Sequence, residues 1–333
     1  MVHPFVYNRN EVKVLPRFSV IVPTFDRADA LRRCLDSLVR LDYPWDRFEV
    51  VVVDDGSPDP PAGVVAAFEE RLDLVFLKQP NGGPGAARNL GIGRATGDYV
   101  AFTDDDCTAS PGWLRALAAR AGRKPGYAVG GQTVNAFSDN RYSRASQHLA
   151  EIVYGFYNSD PDRACFFASN NLAFPTEDLR RTGAFDGSFR CSEDRELCDR
   201  WLTLGRRLAY APEAVIHHAH YLTFTGFFGQ HFGYGRGAFH FYRARVRRGR
   251  SGMKLRPHRF YWRLIATTYQ AAWRRRDAWL APLILISQAA SAAGFFREAL
   301  GRMAEPISSP TARFDAPFSP EERTAPQRFA KRR

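Results

Sequence analysis

Three adjacent carboxylates, Asp104, Asp105 and Asp106, follow the apolar run YVAF. Neighbouring negative charges repel one another, so placing them at the end of a strand has a cost that a bound divalent cation offsets. Hard oxygen ligands at this density suit Mg²⁺ or Mn²⁺. The alternative interpretation is a solvated acidic turn that leads into a helix near Pro111.

A second pair of carboxylates, Asp54 and Asp55, ends the apolar run FEVVVV. Alone, this pair is also compatible with a turn and a helix cap. Ligands bind outside the carboxyl ends of the strands in open α/β sheets, so two acidic strand ends predict a polar-ligand site. The segment NGGPGAARN at 81–89 permits close backbone approach and places Arg88 where it can meet phosphate. The G-x-G at 91–93 lies inside the predicted helix and is therefore no dinucleotide fingerprint.

Two further groups lie in the second half of the chain. Glu193 and Asp194 begin a predicted helix, where a carboxylate often serves only the helix dipole. His217 and His218 end a predicted strand. Such a histidine is usually structural, yet it can also join carboxylates around a metal ion.

Alternating elements must position these groups. From residue 18 to about 107, β-branched runs alternate with helical patterns, which predicts a mostly parallel sheet covered by helices. The predicted strands cover 18–25, 48–57, 72–78, 98–107, 127–134 and 208–218. Helices are predicted at 28–40, 60–71, 111–121 and 140–157, and beginning near 84, 176 and 193.

In their order and spacing, the motifs resemble those of the GT-A glycosyltransferases of family 2. The resemblance covers residues 17–240. It rests on P-T-F-D-R at 23–27, D-D-G-S at 54–57, G-G-P-G-A-A-R-N at 82–89, the D-x-D-like 104–106, E-D at 193–194 with L-x-x-R at 197–200, and H-H at 217–218.

This resemblance implies an α/β GT-A fold and an inverting, metal-dependent transfer of a sugar to an acceptor hydroxyl. The implied donor is a nucleoside-diphosphate sugar, with UDP-sugar as the default and GDP- or dTDP-sugars as alternatives. Asp194 would be the general base, and Asp106 with His218 or His217 would hold Mg²⁺ or Mn²⁺. The implied donor contacts are Pro23, Thr24, Phe25, Arg27, Asp54, Asp55, Arg88, Asp104 and Asp105, and the acceptor-side candidates are Glu193, Arg200 and Trp201.

The chain departs from the family pattern in two ways. Its D-x-D element is entirely acidic, and we assign the metal to Asp106 because it is the last of the three. The Q-x-x-R-W motif of processive synthases does not follow the E-D pair, which favours a single addition. A nucleotidyltransferase and a non-catalytic membrane- or RNA-binding scaffold that retains a GT-A domain are the alternatives. The former usually needs a lysine-bearing glycine loop near the first strand, which this sequence lacks there.

Positive charge is concentrated at the C-terminal end. The net charge is +12, and residues 221–333 hold 21 lysines and arginines against 6 acidic residues. Aromatic and arginine residues interleave at 225–250, and the uncharged stretch 278–296 is flanked by arginines on both sides. This pattern fits an in-plane or re-entrant membrane helix better than a helix that spans the bilayer. The neutral remainder disfavours a nucleic-acid binder. A helical appendage that simply packs on the catalytic domain is the alternative.

These observations divide the chain into an N-terminal extension (1–16), a GT-A domain (17–220), a helical membrane-associating region (221–304) and a disordered tail (305–333). Within the GT-A domain, 17–110 would bind the nucleotide sugar and 111–220 the acceptor. The five scattered cysteines contain no C-x-x-C pair, and no apolar leader precedes residue 17. We therefore expect a cytoplasmic enzyme, peripheral on the inner face of the plasma membrane. Its expected partners are the nucleoside-diphosphate sugar, a glycan or lipid-linked acceptor and an anionic membrane surface, with no nucleic acid.

Overall fold

The computed structural model describes residues 15–250 and 258–302. Most of the predicted N-terminal extension and all of the predicted tail lie outside them. The strands are β1 (Phe18–Thr24), β2 (Phe48–Asp54), β3 (Leu74–Lys78), β4 (Tyr99–Phe102), β5 (Cys107–Ala109), β6 (Ala128–Asn135), β7 (Leu172–Pro175) and β8 (Leu208–His218). The helices are α1 (Ala28–Val39), α2 (Ala62–Ala66), α3 (Pro84–Arg94), α4 (Trp113–Arg123), α5 (Arg141–Tyr157), α6 (Thr176–Arg181), α7 (Glu193–Thr203), α8 (Phe224–Arg247), α9 (His258–Arg275) and α10 (Leu280–Arg302).

The described strands form one mixed sheet in the order β3-β2-β1-β4-β7-β6-β8-β5. The first four strands in that order are parallel, whereas β7 runs antiparallel to both β4 and β6. Thr24 pairs with Asp54 at the ends of β1 and β2, so these carboxyl ends share one sheet edge. The α/β class predicted from the sequence is confirmed.

The central strands owe their position to their composition. All residues of β1 and β2 are buried, as expected for β-branched runs in a parallel sheet covered on both faces. The amphipathic helix α1 buries Leu31, Leu35 and Leu38 against the sheet. On the other face, α3 approaches so closely that a Cβ on Gly91 would lie 2.6 Å from a methyl carbon of Ile21. The glycine at 91 therefore serves helix packing.

Two predicted elements are shorter than expected. The helix predicted at 60–71 is reduced to the five residues of α2, and turns follow it. The strand predicted at 98–107 ends at Phe102. Asp104, Asp105 and Asp106 therefore lie in the connection between β4 and β5, where their side chains need not alternate between sheet faces.

The C-terminal helices pack onto α5. Their shared core includes Ile152, Phe227, Phe260 and Leu283. Helices α8 and α10 cross with their backbones in close contact: a Cβ on Gly235 would lie 1.9 Å from the carbonyl oxygen of Ser291, and one on Gly294 2.0 Å from that of Phe232. The described residues of α8, α9 and α10 thus form one packed unit with α5.

The arginines predicted to face an anionic surface are largely engaged within the protein. Glu196 and Asp199 on α7 form ion pairs with Arg245, Arg248 and Arg250, at or just beyond the end of α8. Arg236 pairs with Glu298 of α10, and Arg247 is exposed. The stretch Leu280–Gly301 of α10 is long and apolar enough to cross a bilayer by length and composition, and a third of it is buried in the protein.

Candidate active site

The three adjacent carboxylates point to three different partners. Asp104 accepts a 2.6 Å hydrogen bond from the guanidinium of Arg88, and Asp105 accepts one of 2.8 Å from Thr24. Arg27 lies just before α1 and bridges Asp105 and Asp106, with 2.8 Å to each. Two arginines, Arg27 and Arg88, therefore offset part of the charge repulsion that the sequence predicts among the three carboxylates.

Two of these buried acids have different pKa values because their partners differ. Burial raises the pKa of Asp105 to about 7, although Arg27 and the hydroxyl of Thr24 oppose it. Burial also acts on Asp106, but there it is outweighed by the hydrogen bond and charge of His218 and by the charge of Arg27. Its pKa falls to about 2. Asp106 is therefore an anion throughout the physiological range.

His218 is the histidine that meets the acidic group. Its Nε2 lies 3.3 Å from Oδ1 of Asp106, whereas Nε2 of His217 lies 3.2 Å from the hydroxyl of Ser110. Alternation along β8 places the two rings on opposite faces, which selects His218. His220, which the sequence reasoning did not select, lies next to His218, with ring centroids 5.1 Å apart and ring planes tilted by 42°.

Asp106, Cys107 and His218 place their ligand atoms within 4.8 Å of one another. Burial raises the pKa of the Cys107 thiol well above its usual value, so the thiol stays protonated and is a poor ligand. The carboxylate and the imidazole remain, a donor set that fits Mn²⁺ or Mg²⁺ when phosphate or water oxygens supply the other ligands.

Asp54 and Asp55 shape the loops at the sheet edge. Asp54 accepts hydrogen bonds from the backbone and hydroxyl of Ser57. Asp55 accepts bonds of 2.9 and 2.8 Å from the backbone N–H groups of Gly82 and Gly83, and Gly83 has a φ of +88° that favours glycine. Asp55 thereby holds the turn before α3 in place.

Arg88 connects the two halves of the site. It is buried, and its second guanidinium nitrogen lies 2.9 Å from Glu193, opposite the bond to Asp104. Asp194 follows in the first turn of α7 and accepts a 2.7 Å bond from the N–H of Arg195. Burial and then the charge of Glu193 raise the pKa of Asp194 to about 7. A carboxylate with such a pKa is suited to accept a proton at neutral pH.

A cavity of about 1470 Å³ joins these groups. Of the predicted donor contacts, its wall includes Pro23, Thr24, Phe25, Arg27, Asp55, Arg88 and Asp104, together with Glu193, Asp194 and His218. Asp54, Asp105 and Asp106 lie behind this wall and are buried or nearly so.

Two predicted acceptor-side residues lie in the core. Arg200 is 8% exposed, pairs with Glu196 and donates to the carbonyl oxygens of Thr182 and Ala184. The indole of Trp201 is fully buried and donates to the carbonyl oxygen of Arg207. Positions 194 and 201 are seven residues apart and share one side of α7, so the difference lies along the helix axis. Asp194 and Arg195 in the first turn line the cavity, whereas Arg200 and Trp201, toward the end of the helix, lie in the core.

Comparison with known proteins finds one matching family and similar proteins of known name. The family described as glycosyl transferase family 2 matches residues 19–185, half of the chain. The pre-mycofactocin glycosyltransferase of Mycobacterium tuberculosis is 31% identical over 209 residues, covering 61% of this chain and 42% of that protein. The chain thus spans less than half of this relative's length.

Two solved structures share the fold at low identity. The mannosyltransferase PcManGT from Pyrobaculum calidifontis, in complex with GDP-Man and Mn²⁺, is 22% identical with a TM-score of 0.59, over 88% of this chain and 82% of that one. Residues 1–349 of TarS from S. aureus are 20% identical with a TM-score of 0.52, over 88% and 93%. Both alignments cover more of the chain than the family match does.

Proposed function

The chain belongs to glycosyltransferase family 2, and from that premise we propose an inverting, metal-dependent transfer of a sugar to an acceptor hydroxyl. The donor is a nucleoside-diphosphate sugar, with a UDP-sugar as the first candidate. The observation that carries the proposal is the cavity that joins Asp194, with its raised pKa, to the Arg88 and His218 side of the site.

The donor would lie along the sheet edge. The backbone and side chains of residues 23–25 line the cavity beside Asp55, and Phe25 is 42% exposed, which leaves its ring available to a base. The relatives support this donor class, because PcManGT was solved with GDP-Man and residues 1–349 of TarS with UDP.

A divalent cation fits the site through Asp106 and His218, whose donor atoms stand 3.3 Å apart. When bound there, it supplies positive charge that stabilises the departing diphosphate. The salt bridge of Asp106 to Arg27 keeps this carboxylate ionised and oriented. His218 would hold the cation as a neutral imidazole, so binding of the cation would release any proton that His218 shares with Asp106. PcManGT, solved with Mn²⁺, supports the choice of metal.

Asp194 is the proposed general base. It accepts the proton of the acceptor hydroxyl while that oxygen forms a bond to C1 of the donor sugar. The bond from C1 to the diphosphate oxygen breaks on the opposite side, and its electron pair leaves with the nucleoside diphosphate. The proton then passes from Asp194 to solvent. Arg88, anchored between Asp104 and Glu193, holds positive charge between the donor and acceptor sides.

A ligand panel tests the donor and metal. Thermal shift and calorimetry with UDP, GDP, dTDP and CDP, each with Mn²⁺, Mg²⁺ or EDTA, should give a metal-dependent stabilisation with one base. Saturation at 100 times the dissociation constant adds about 2.7 kcal/mol of stability. Asp106→Asn should lose the metal dependence, whereas Asp139→Asn, at an exposed position, should keep it. Absence of a shift with every nucleotide would instead favour the non-catalytic scaffold.

We also propose that the enzyme is cytoplasmic and attaches to an anionic membrane surface, so that its acceptor is a lipid-linked or cell-envelope glycan. One face of α9 supports this: Trp262, Ile265, Tyr269 and Trp273 recur at the helical period and are 60–77% exposed. An amphipathic helix of this kind buries its apolar face at a lipid surface.

Sedimentation with vesicles at low salt tests the membrane proposal. Phosphatidylglycerol vesicles should bind the protein more strongly than phosphatidylcholine vesicles, and the double variant Trp262→Ser/Trp273→Ser should bind weakly. Trp45→Ser is the matched control, because Trp45 is 82% exposed outside the C-terminal helices. Failure of the unmodified chain to bind anionic vesicles would contradict the proposal.

A further inference from the structure

The cavity that Asp194 lines also extends between the C-terminal helices and α5. We call this part the inner chamber, and its lining includes Tyr154, His231, Tyr234, Phe260, Gln288 and Phe295. The whole cavity, at about 1470 Å³, is larger than the roughly 300–1,000 Å³ that holds one drug-sized ligand. It therefore has room for an acceptor in addition to a donor.

The inner chamber is electrostatically close to the proposed base. Burial above all, and to a smaller degree the charge of Asp194, raises the pKa of the phenol of Tyr154. Tyr234 has 48% of its surface accessible although it stands among packed helices, because it faces the cavity. A molecule in the chamber can thus extend to Asp194.

His231 is the unexplained polar group of this chamber. It is 2% exposed, and among the described residues neither of its ring nitrogens has a hydrogen-bond partner. Buried polar groups are nearly always paired, and an unpaired one destabilises the fold. Burial lowers the pKa of His231 to about 4, so the imidazole is neutral and offers one donor and one acceptor.

The surroundings of His231 supply contacts other than hydrogen bonds. The rings of Phe227 and Tyr234 stand edge-on to it, at centroid distances of 4.5 and 5.6 Å. The hydroxyl of Ser291 donates to the backbone oxygen of His231 and leaves the ring unpaired. His231 nevertheless belongs to the lining of the cavity, so a ligand in the inner chamber can approach its ring.

We propose that the inner chamber binds the body of the acceptor, that this body is apolar, and that a polar substituent on it pairs with the imidazole of His231. This deepens the proposed function, on which it rests, by naming the acceptor class. Aromatic walls favour an aryl or alkyl body over a chain of unmodified sugars, because polar side chains around His231 are already engaged. Gln230 donates to the hydroxyl of Tyr234, and Ser291 donates to the backbone oxygen of His231. The nitrogens left unpaired in the free protein would be satisfied by the acceptor.

Three glucosides with the same sugar test the proposal by calorimetry on the full chain. Methyl β-D-glucoside has no apolar body, 4-nitrophenyl β-D-glucoside has an aryl body, and 8-hydroxyoctyl β-D-glucoside has an alkyl body. One of the last two should bind at least tenfold more tightly than the methyl glucoside. Preference for the aryl compound indicates a small aromatic acceptor, and preference for the alkyl compound indicates a lipid-like chain. Equal affinities, or no binding of any of the three, would overturn the proposal.

The variant His231→Phe separates ligand recognition from a structural role. It should raise the melting temperature of the free protein, because an apolar ring replaces an unpaired polar one, and weaken the preferred glucoside about tenfold. Phe228→Leu is the control on α8, at an exposed position outside the cavity. A lower melting temperature or an unchanged affinity would overturn the proposal. Titrations with and without UDP and Mn²⁺ distinguish failure of this proposal from failure of the proposed function. If the unmodified protein does not bind UDP, only the proposed function is contradicted.

Discussion

Replacing Asp194 by Asn should stabilise the protein while abolishing most of its turnover. The pKa of this carboxyl rises from 3.8 to about 7 on folding, chiefly through burial. Each pKa unit corresponds to about 1.36 kcal/mol, so the ionised form costs the folded state on the order of 4 kcal/mol. The folded state binds the proton more tightly than the unfolded state, so this cost is absent below pH 4, grows between pH 4 and 7 and is complete above pH 7.

Asparagine carries no charge and avoids that cost. We therefore expect Asp194→Asn to unfold at a higher temperature than the unmodified protein at pH 8 and at a similar temperature at pH 4. Loss of the general base should reduce turnover about 10²–10⁴-fold while nucleotide binding persists. Calorimetric scans at the two pH values and a nucleotide-release assay measure both effects, with Asp139→Asn as an exposed control that should change neither.

The pH dependence of the unmodified enzyme gives an independent test of Asp194 as the general base. The acid limb of kcat/KM should inflect near pH 7, where Asp194 loses its proton in the free enzyme. Glu193→Gln should move this inflection to lower pH, because the negative charge of Glu193 is the second cause of the raised pKa. Unchanged turnover in Asp194→Asn, or a lower melting temperature at pH 8, would refute the assignment.

Three further changes test the architecture. Arg88→Met should lower the unfolding free energy by about 3–5 kcal/mol and impair turnover, because it leaves two carboxylates uncompensated, and denaturant titration measures the loss. Gly294→Ala should lower the melting temperature, since its Cβ would lie 2.0 Å from the carbonyl oxygen of Phe232, whereas Gly301→Ala in the same helix has open space and should not. Arg200→Met should destabilise the fold, because Arg200 pairs with Glu196 inside the core, yet leave the acceptor KM of the folded enzyme unchanged. A changed KM for the acceptor would instead support the predicted acceptor-side role of Arg200.

The three adjacent acids at 104–106 contact different elements of the fold, which their adjacency in the sequence does not indicate. The three residues follow one another, yet one binds an arginine of α3, one the hydroxyl at the end of β1, and one a histidine of β8. They can do so because they stand in a connection between strands rather than in a strand. The sequence reasoning placed them correctly at the end of β4 and expected a cation to relieve their repulsion, but it did not foresee the arginines.

Local patterns were sufficient for the central half of the fold. The β-branched runs of β1 and β2 and the apolar face of α1 are short-range signals, and they predicted buried parallel strands with helices between them. The predicted helix at 60–71 was wrong beyond Ala66, because tertiary packing overrides a weak helical propensity in a segment that opens with prolines.

The sequence by itself determined the class of fold and the order of the motifs, since these depend on residue type and spacing. It also predicted, through the family resemblance, the roles of Asp194, Asp106 and a neighbouring histidine. Only the tertiary structure decided that His218 rather than His217 meets Asp106, that Arg200 and Trp201 belong to the core, and that His231 stands unpaired at the cavity. Each of these outcomes depends on which part of an element meets a distant segment. His231, for example, lies against Ser291, 60 residues away, because two glycines let α8 and α10 touch.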